Sequence, residues 1–293
     1  MTWVAWRVQR LQYLAAAGGV ASLVVWLVAS GLDGQARWSQ MSDTGGVYVL
    51  YALPGVLGLA LGASLVAIEA ERGTNRVAWT QSVTRDRWLA RKLVIGAVVS
   101  GGLVAVLMPL LGWWIGATRS GPDIVARNFG ITGVVSVGYV LFAYLLGAAL
   151  GAVIRRPGWA FAAGVPLFTA ARLLIDGLRP VLVPPATASY PAQPATEPGG
   201  WVLNAAYLPL GRTSPAPGQT WASPWDRLGG CFYRTQPQPA LDRCAARAHL
   251  HFVFEYQPAS HYWALQGTET AVYAALALAL AAATVAAVRR WQA

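Results

Sequence analysis

The sequence predicts an all-α polytopic membrane protein. It would have six transmembrane helices, an N-terminal interfacial helix, and a long external segment between helices five and six. Three observations predict this. First, 22 Lys+Arg and 12 Asp+Glu make only 12% of 293 residues charged, against 56% hydrophobic, and mean hydropathy is +0.44. A soluble domain is about 25% charged, and a disordered chain needs low hydrophobicity, so both classes are excluded. Second, the uncharged runs have the length of about 20 residues that a helix needs to cross a bilayer. Third, the charges are sorted unequally among the connections between those runs.

The runs are residues 11–32, 44–68, 93–118 with Pro109 inside, 128–154, a fifth from Pro157, and 270–288. The fifth is uncharged to Ala171, then carries Arg172, Asp176 and Arg179. Runs of this kind are helical in lipid because a helix satisfies its own backbone hydrogen bonds there. Arg7, Arg10 and the small residues Val28-Ala29-Ser30 give the first run some signal-peptide character. Its length and its Trp-rich flank favour a retained span. In that flank Trp3, Trp6 and Tyr13 stand near Arg7 and Arg10, a mixture suited to the headgroup layer; a plain basic flank is the alternative.

Six spans place both termini on one side, and the excess of Lys and Arg in short loops decides which. With the termini cytoplasmic, the inner loops hold 12 cations and 3 acids, whereas the outer ones hold 10 cations and 9 acids. The net charge of +10 is therefore an orientation signal between apolar runs, not a basic stripe for nucleic acid. The division that follows is residues 1–180 for the interfacial helix and spans one to five, 181–268 for the external segment, and 269–293 for span six and a cytoplasmic tail.

The charged loop at 69–92 reads EAERGTNRVAWTQSVTRDRWLARK. Gly73 and Thr74 interrupt the second span, and Thr74 suits a helix N-cap. Beyond it Val77, Trp79, Val83 and Trp88 offer apolar contacts, while Gln81, Arg85, Arg87 and Arg91 offer polar ones. Two readings stand: a short amphipathic helix at the inner face, or a solvated basic loop that only orients the chain.

The external segment, counted from Pro180, holds 13 of the 18 prolines and both cysteines, Cys231 and Cys244. An oxidising outer face permits a disulfide between them, and two free thiols are the alternative. Short helices and loops stapled by that bridge are expected. His249, His251 and His261 read as ordinary polar residues or as a fragment of a metal site; no metal is assigned. Within the spans, Arg172 and Asp176 are one helical turn apart and able to pair. An intramembrane charge is costly and points to function, unless it lies near enough to the surface to be solvated. Tyr139, Phe142 and Tyr144 line a cavity or simply pack. Gly58/Gly62 and Gly147/Gly151 have the spacing of close helix contacts. The only lysine, Lys92, follows Arg91, so no phosphate-binding loop of the G-x-x-x-x-G-K-[ST] type exists here.

One arrangement carries a resemblance. Two spans are followed by Glu71-Arg72-Gly73-Thr74, then by Trp79-Thr80-Gln81-Ser82-Val83-Thr84-Arg85-Asp86-Arg87-Trp88 and Lys92. Tyr256-Gln257-Pro258-Ala259-Ser260-His261-Tyr262-Trp263 precedes the last span. This pattern resembles the membrane permease subunits of type-2 ABC exporters. The resemblance covers most of the chain but not residues 184–247.

The resemblance implies two permease copies in the plasma membrane, bound to two copies of a separate ABC ATPase. That ATPase would supply the ATP and Mg site, and this chain would carry no cofactor and no catalytic residue. The loop after span two would dock as a coupling helix, with Glu71, Arg72, Gly73 and Thr74 shaping the turn. Trp79, Gln81, Arg85 and Trp88 would form its contact face. Spans two and five would face the path of a hydrophobic or amphipathic cargo such as an antibiotic, peptide or lipid. Tyr48, Tyr51, Phe168, Arg172 and Asp176 are then the lining candidates. The rival readings are a membrane-anchored enzyme or a ligand sensor acting through the external segment.

Overall fold

The computed structural model describes residues 2–32, 46–72, 84–118, 129–131, 133–192, 200–215, 221 and 238–291. They form α1 (Thr2–Leu32), α2 (Gly46–Arg72), α3 (Arg85–Thr118), α4 (Val135–Ile154), α5 (Pro157–Leu182), β1 (Ala186–Tyr190), β2 (Gly200–Pro209), α6 (Gln238–Arg247), β3 (Leu250–Pro258) and α7 (Tyr262–Arg289). All of these helices except α6 are long and apolar enough to cross a membrane, six in total among the described residues.

Helix ends differ from the apolar runs, for local reasons. α1 runs unbroken from the Trp-rich flank through the first span, so the expected interfacial residues form no separate helix. α3 starts eight residues before its apolar run, at Arg85. The Thr84 hydroxyl caps it by accepting the Arg87 amide at 3.4 Å. α4 starts late, at Val135 and not at 128, because Gly133 precedes it and residues 133–134 form a bend and turn. α7 starts at Tyr262, after a short 3-10 turn at Ala259–His261. That early start brings Gln266 and Glu269 into the helix.

The chain divides into two compact units. The first comprises Met1–Gly121, Arg127–Gly177 and Gln266–Ala293. Within it α2 and α4 lie backbone to backbone. A Cβ on Gly58 would sit 2.5 Å from the Val140 carbonyl oxygen, one on Gly147 2.8 Å from the Leu59 oxygen, and one on Gly151 2.8 Å from the Ala63 oxygen. The paired glycines therefore serve helix packing, as small residues do between membrane helices. One apolar core joins Tyr13, Leu65, Leu89, Tyr144 and Val288, and a second joins Leu27, Leu50, Leu107, Trp114 and Val140.

The second unit contains Leu178–Leu265 and corrects the all-α expectation. It holds a three-stranded antiparallel sheet of order β1-β3-β2, not only short helices and loops. The central strand β3 is buried over Leu250–Phe254. Phe252 and Phe254 pack on Tyr207 and Ala245, while Val253 packs with Ala206 and Leu208. Covered on both faces, β3 lacks the alternation that marks a half-exposed strand. The prolines lie at strand ends, with Pro209 closing β2 and Pro258 closing β3. The Tyr207 hydroxyl donates to Asp242 on α6 at 2.8 Å. The Gln257 amide donates to the carbonyls of Pro180 and Val183 at 3.2 and 2.7 Å, and its oxygen meets His261 Nδ1 at 2.8 Å. Two residues of the pre-span motif thus tie β3 to the chain that leaves α5.

Candidate functional site

Two groups of polar residues lie within the helical unit. The first is at the ends of α2 and α3 that flank residues 73–83. There Lys92, buried on α3, forms an ion pair with Glu69 on α2. The ammonium also donates to the Leu65 carbonyl at 3.4 Å and lies 4.6 Å from the centre of the Trp88 ring. The Tyr144 hydroxyl of α4 donates to the Lys92 carbonyl at 3.2 Å. A buried ammonium is tolerable only with such partners, and together they fix the register of α2 against α3 and α4. Below them Arg289 of α7 makes a two-pronged contact with Asp86 of α3, at 3.0 and 2.7 Å. This pair is exposed and therefore contributes little stability. Trp291 donates its indole N–H to the Ala152 carbonyl at 3.0 Å, and Arg155 lies over its ring.

Of the expected coupling residues, Glu71 is exposed on the last turn of α2, Arg72 ends that helix, and Arg85 opens α3. Trp88 is half-buried against the core that holds Leu89. Gly73, Thr74, Trp79 and Gln81 lie outside the described residues.

The second group surrounds Arg172. This arginine on α5 is 5% exposed. Its guanidinium carbon lies 3.4 Å from the centre of the Tyr139 ring (α4) and 4.7 Å from that of Tyr51 (α2). Asp176, one turn along α5, comes to 4.0 Å of Nη2, too far for a hydrogen bond. Tyr139 in turn donates to the Glu269 carboxylate of α7 at 2.5 Å, and both residues are fully buried. About one turn nearer the start of α7, the Gln266 side chain accepts the Val135 amide at 2.9 Å and donates to the Phe129 carbonyl at 3.0 Å. It supplies the N-terminal cap that α4 lacks from its own sequence. Gly133 leaves room for this amide, since a Cβ there would collide with it.

Among the expected lining residues, Tyr51, Phe168, Arg172 and Asp176 gather here. Phe168 is buried and stacks on Phe142 at 6.0 Å between ring centres, and Phe142 touches Tyr273. Tyr48 is 76% exposed. Sequence reading missed Glu269, Gln266 and the Lys92–Glu69 pair. The available signal was an acid and an amide three residues apart, which share one helix face once α7 is allowed to start before its apolar run.

In the sheet unit, Cys244 is half-buried on α6, and Cys231 lies outside the described residues. His249 is an exposed turn residue with φ 55°, and His251 is buried in β3. No group of three or more His, Cys, Asp or Glu among the described residues is arranged to hold a metal ion.

Comparison with known families supplies the context. The family described as ABC-2 membrane transporter related matches residues 32–179, about half of the chain. That span includes the Glu69–Lys92 pair, residues 73–83, and Tyr51, Tyr139, Arg172 and Asp176 of the second group, but not its α7 residues Gln266 and Glu269. No curated protein and no solved structure matches. With six helices able to cross a membrane and a family match over half its length, the chain belongs to the ABC-2 membrane transporter related family, as a multi-pass permease component of an ABC transporter.

Proposed function

We propose that this permease is the membrane half of an ATP-driven exporter that moves a hydrophobic or amphipathic compound out across the plasma membrane. Two copies would pair with two copies of a separate ABC ATPase, which carries the ATP and Mg site. Both termini and residues 73–83 would face the cytoplasm, and the sheet unit would lie outside.

The observation that carries this reading is the lock at the base of the loop. Residues 73–83 follow α2 and precede α3 in the sequence, and those helices are joined at that end by the buried Lys92–Glu69 pair, Trp88 and Tyr144. A loop on so stiff a base transmits a push from a docked ATPase into the helices instead of absorbing it. Glu71, Arg72, Gly73 and Thr74 shape its turn, and Trp79, Gln81, Arg85 and Trp88 contact the ATPase. On the outer side, a Cys231–Cys244 bridge staples the sheet unit, and Cys244 carrying no free thiol supports it.

The test is co-purification. The wild-type chain, co-expressed with its cognate ABC ATPase, should retain that ATPase on an affinity column. Trp79→Ala combined with Arg85→Ala should lose most of it, while Arg156→Ala, at the short turn between α4 and α5, should not. Equal retention by the double variant contradicts the docking role.

A further inference from the structure

The Arg172 cluster is incompletely satisfied. Among the described residues, both terminal guanidinium nitrogens, Nη1 and Nη2, are buried without a hydrogen-bond partner. A guanidinium carries its charge at any physiological pH and presents its donors as a planar fork. Burying one without acceptors inside a membrane-spanning helix is unfavourable, and such residues mark binding sites. Its central carbon lies over the rings of both Tyr51 and Tyr139, which hold the group in place while Nη1 and Nη2 keep no acceptor among the described residues. Asp176 stands 4.0 Å from Nη2, outside bonding distance. Beside the fork the chain has Gly130, where a Cβ would come 3.0 Å from Nη2 and 2.9 Å from the Tyr51 hydroxyl. A larger residue there would crowd the terminal nitrogens.

We propose that Arg172 is the anchor for an oxyanion, a phosphate or carboxylate carried on an apolar body. The fork would accept two oxygens side by side, as guanidinium does with these groups. The apolar body would lie along the aromatic series Phe168, Phe142 and Tyr273. As a transport site, a role that rests on the exporter proposal, the cluster selects anionic amphiphiles over neutral or cationic ones. Two sources share this chemistry: the headgroup of an anionic lipid and a free anionic amphiphile.

Native mass spectrometry of the purified full chain, without any ATPase, separates them. The chain is titrated with phosphatidylglycerol and, separately, with octyl phosphate; phosphatidylcholine and octyltrimethylammonium are the controls. The wild type should hold at least one of the two anions in preference to its control. Arg172→Gln should weaken that adduct by at least about tenfold, and Arg172→Lys, which keeps the charge but not the fork, should fall between. Retention of phosphatidylglycerol alone assigns the site to a lipid headgroup, of octyl phosphate alone to a free amphiphile, and of both to the oxyanion whatever its carrier. Asp176→Asn leaves Arg172 in place and removes a competing carboxylate, so it should strengthen the adduct; this variant decides the matter should Arg172→Gln fail to fold. No anion adduct in the wild type, an adduct unchanged in Arg172→Gln, or one lost in Asp176→Asn overturns the proposal. Because no ATPase is present, any of these results leaves the coupling reading standing, and loss of coupling would leave the adduct unchanged.

Discussion

The Tyr139 hydroxyl donates to the Glu269 carboxylate at 2.5 Å, joining α4 to α7 across 130 residues of sequence in a region with no exposed surface at either residue. A hydrogen bond to a buried charge is expensive to leave unmade, about 1–3 kcal/mol. Tyr139→Phe should lower the thermal unfolding midpoint of the purified protein in neutral detergent, because the carboxylate stays buried with one donor fewer. An unchanged midpoint would show that this bond carries no stability.

The Lys92–Glu69 pair should show the asymmetry of buried ion pairs. Removing one partner strands the other, at a cost of about 3–5 kcal/mol, whereas replacing both with uncharged groups of similar size is close to neutral. Lys92→Met should therefore destabilise strongly, and Lys92→Met with Glu69→Gln should recover most of the loss. Thermal unfolding of the three proteins checks this; a double variant no better than the single would contradict it.

The α2–α4 contact gives a steric prediction. A side chain on Gly62 would run into the Tyr144 carbonyl, and backbone cannot yield as a flexible side chain does. Gly62→Val should cost at least the roughly 1–3 kcal/mol typical of overpacking. Gly102, where a Cβ meets nothing within 4 Å, is the control. Gly102→Ala should be neutral or should stabilise α3 slightly, by about 0.5–1 kcal/mol. Equal unfolding midpoints for the two variants would count against the close packing.

Peptide mapping without reductant should recover the Cys231 and Cys244 peptides as one linked species. Such a bridge would close a loop of 12 intervening residues, worth about 3 kcal/mol in the chain-entropy model, so reductant should also lower the thermal midpoint. Two unlinked thiol peptides would refute the pairing.

The six helices were legible because charge is scarce and confined to a few connections, so each uncharged run announces a span. Their ends were less legible, because a run stops at its first charge while the helix continues where that charge has a partner. Lys92 and Asp86 ride on α3 beyond its apolar run because Glu69 and Arg289 meet them. Glu69 lies 23 residues from Lys92, and Arg289 lies 203 from Asp86. No local pattern shows such pairings, since they depend on the rotation of one helix against another. Arg172 was visible as a charge inside a span, and Tyr51 and Tyr139 as candidates on other helices; the contact of both rings with its guanidinium was not. The sheet was hidden for a different reason: β3 is covered on both sides, and its apolar run Phe252–Phe254 has no period by which strand is told from helix.

The central claim is that residues between α2 and α3 couple this permease to an ATPase. The most direct measurement is the rate of ATP hydrolysis by the purified ABC ATPase reconstituted with the permease in lipid. With wild-type permease the rate should rise well above that of the ATPase alone, and with the Trp79→Ala, Arg85→Ala variant it should fall back to the uncoupled rate. Full stimulation by that variant would contradict the account.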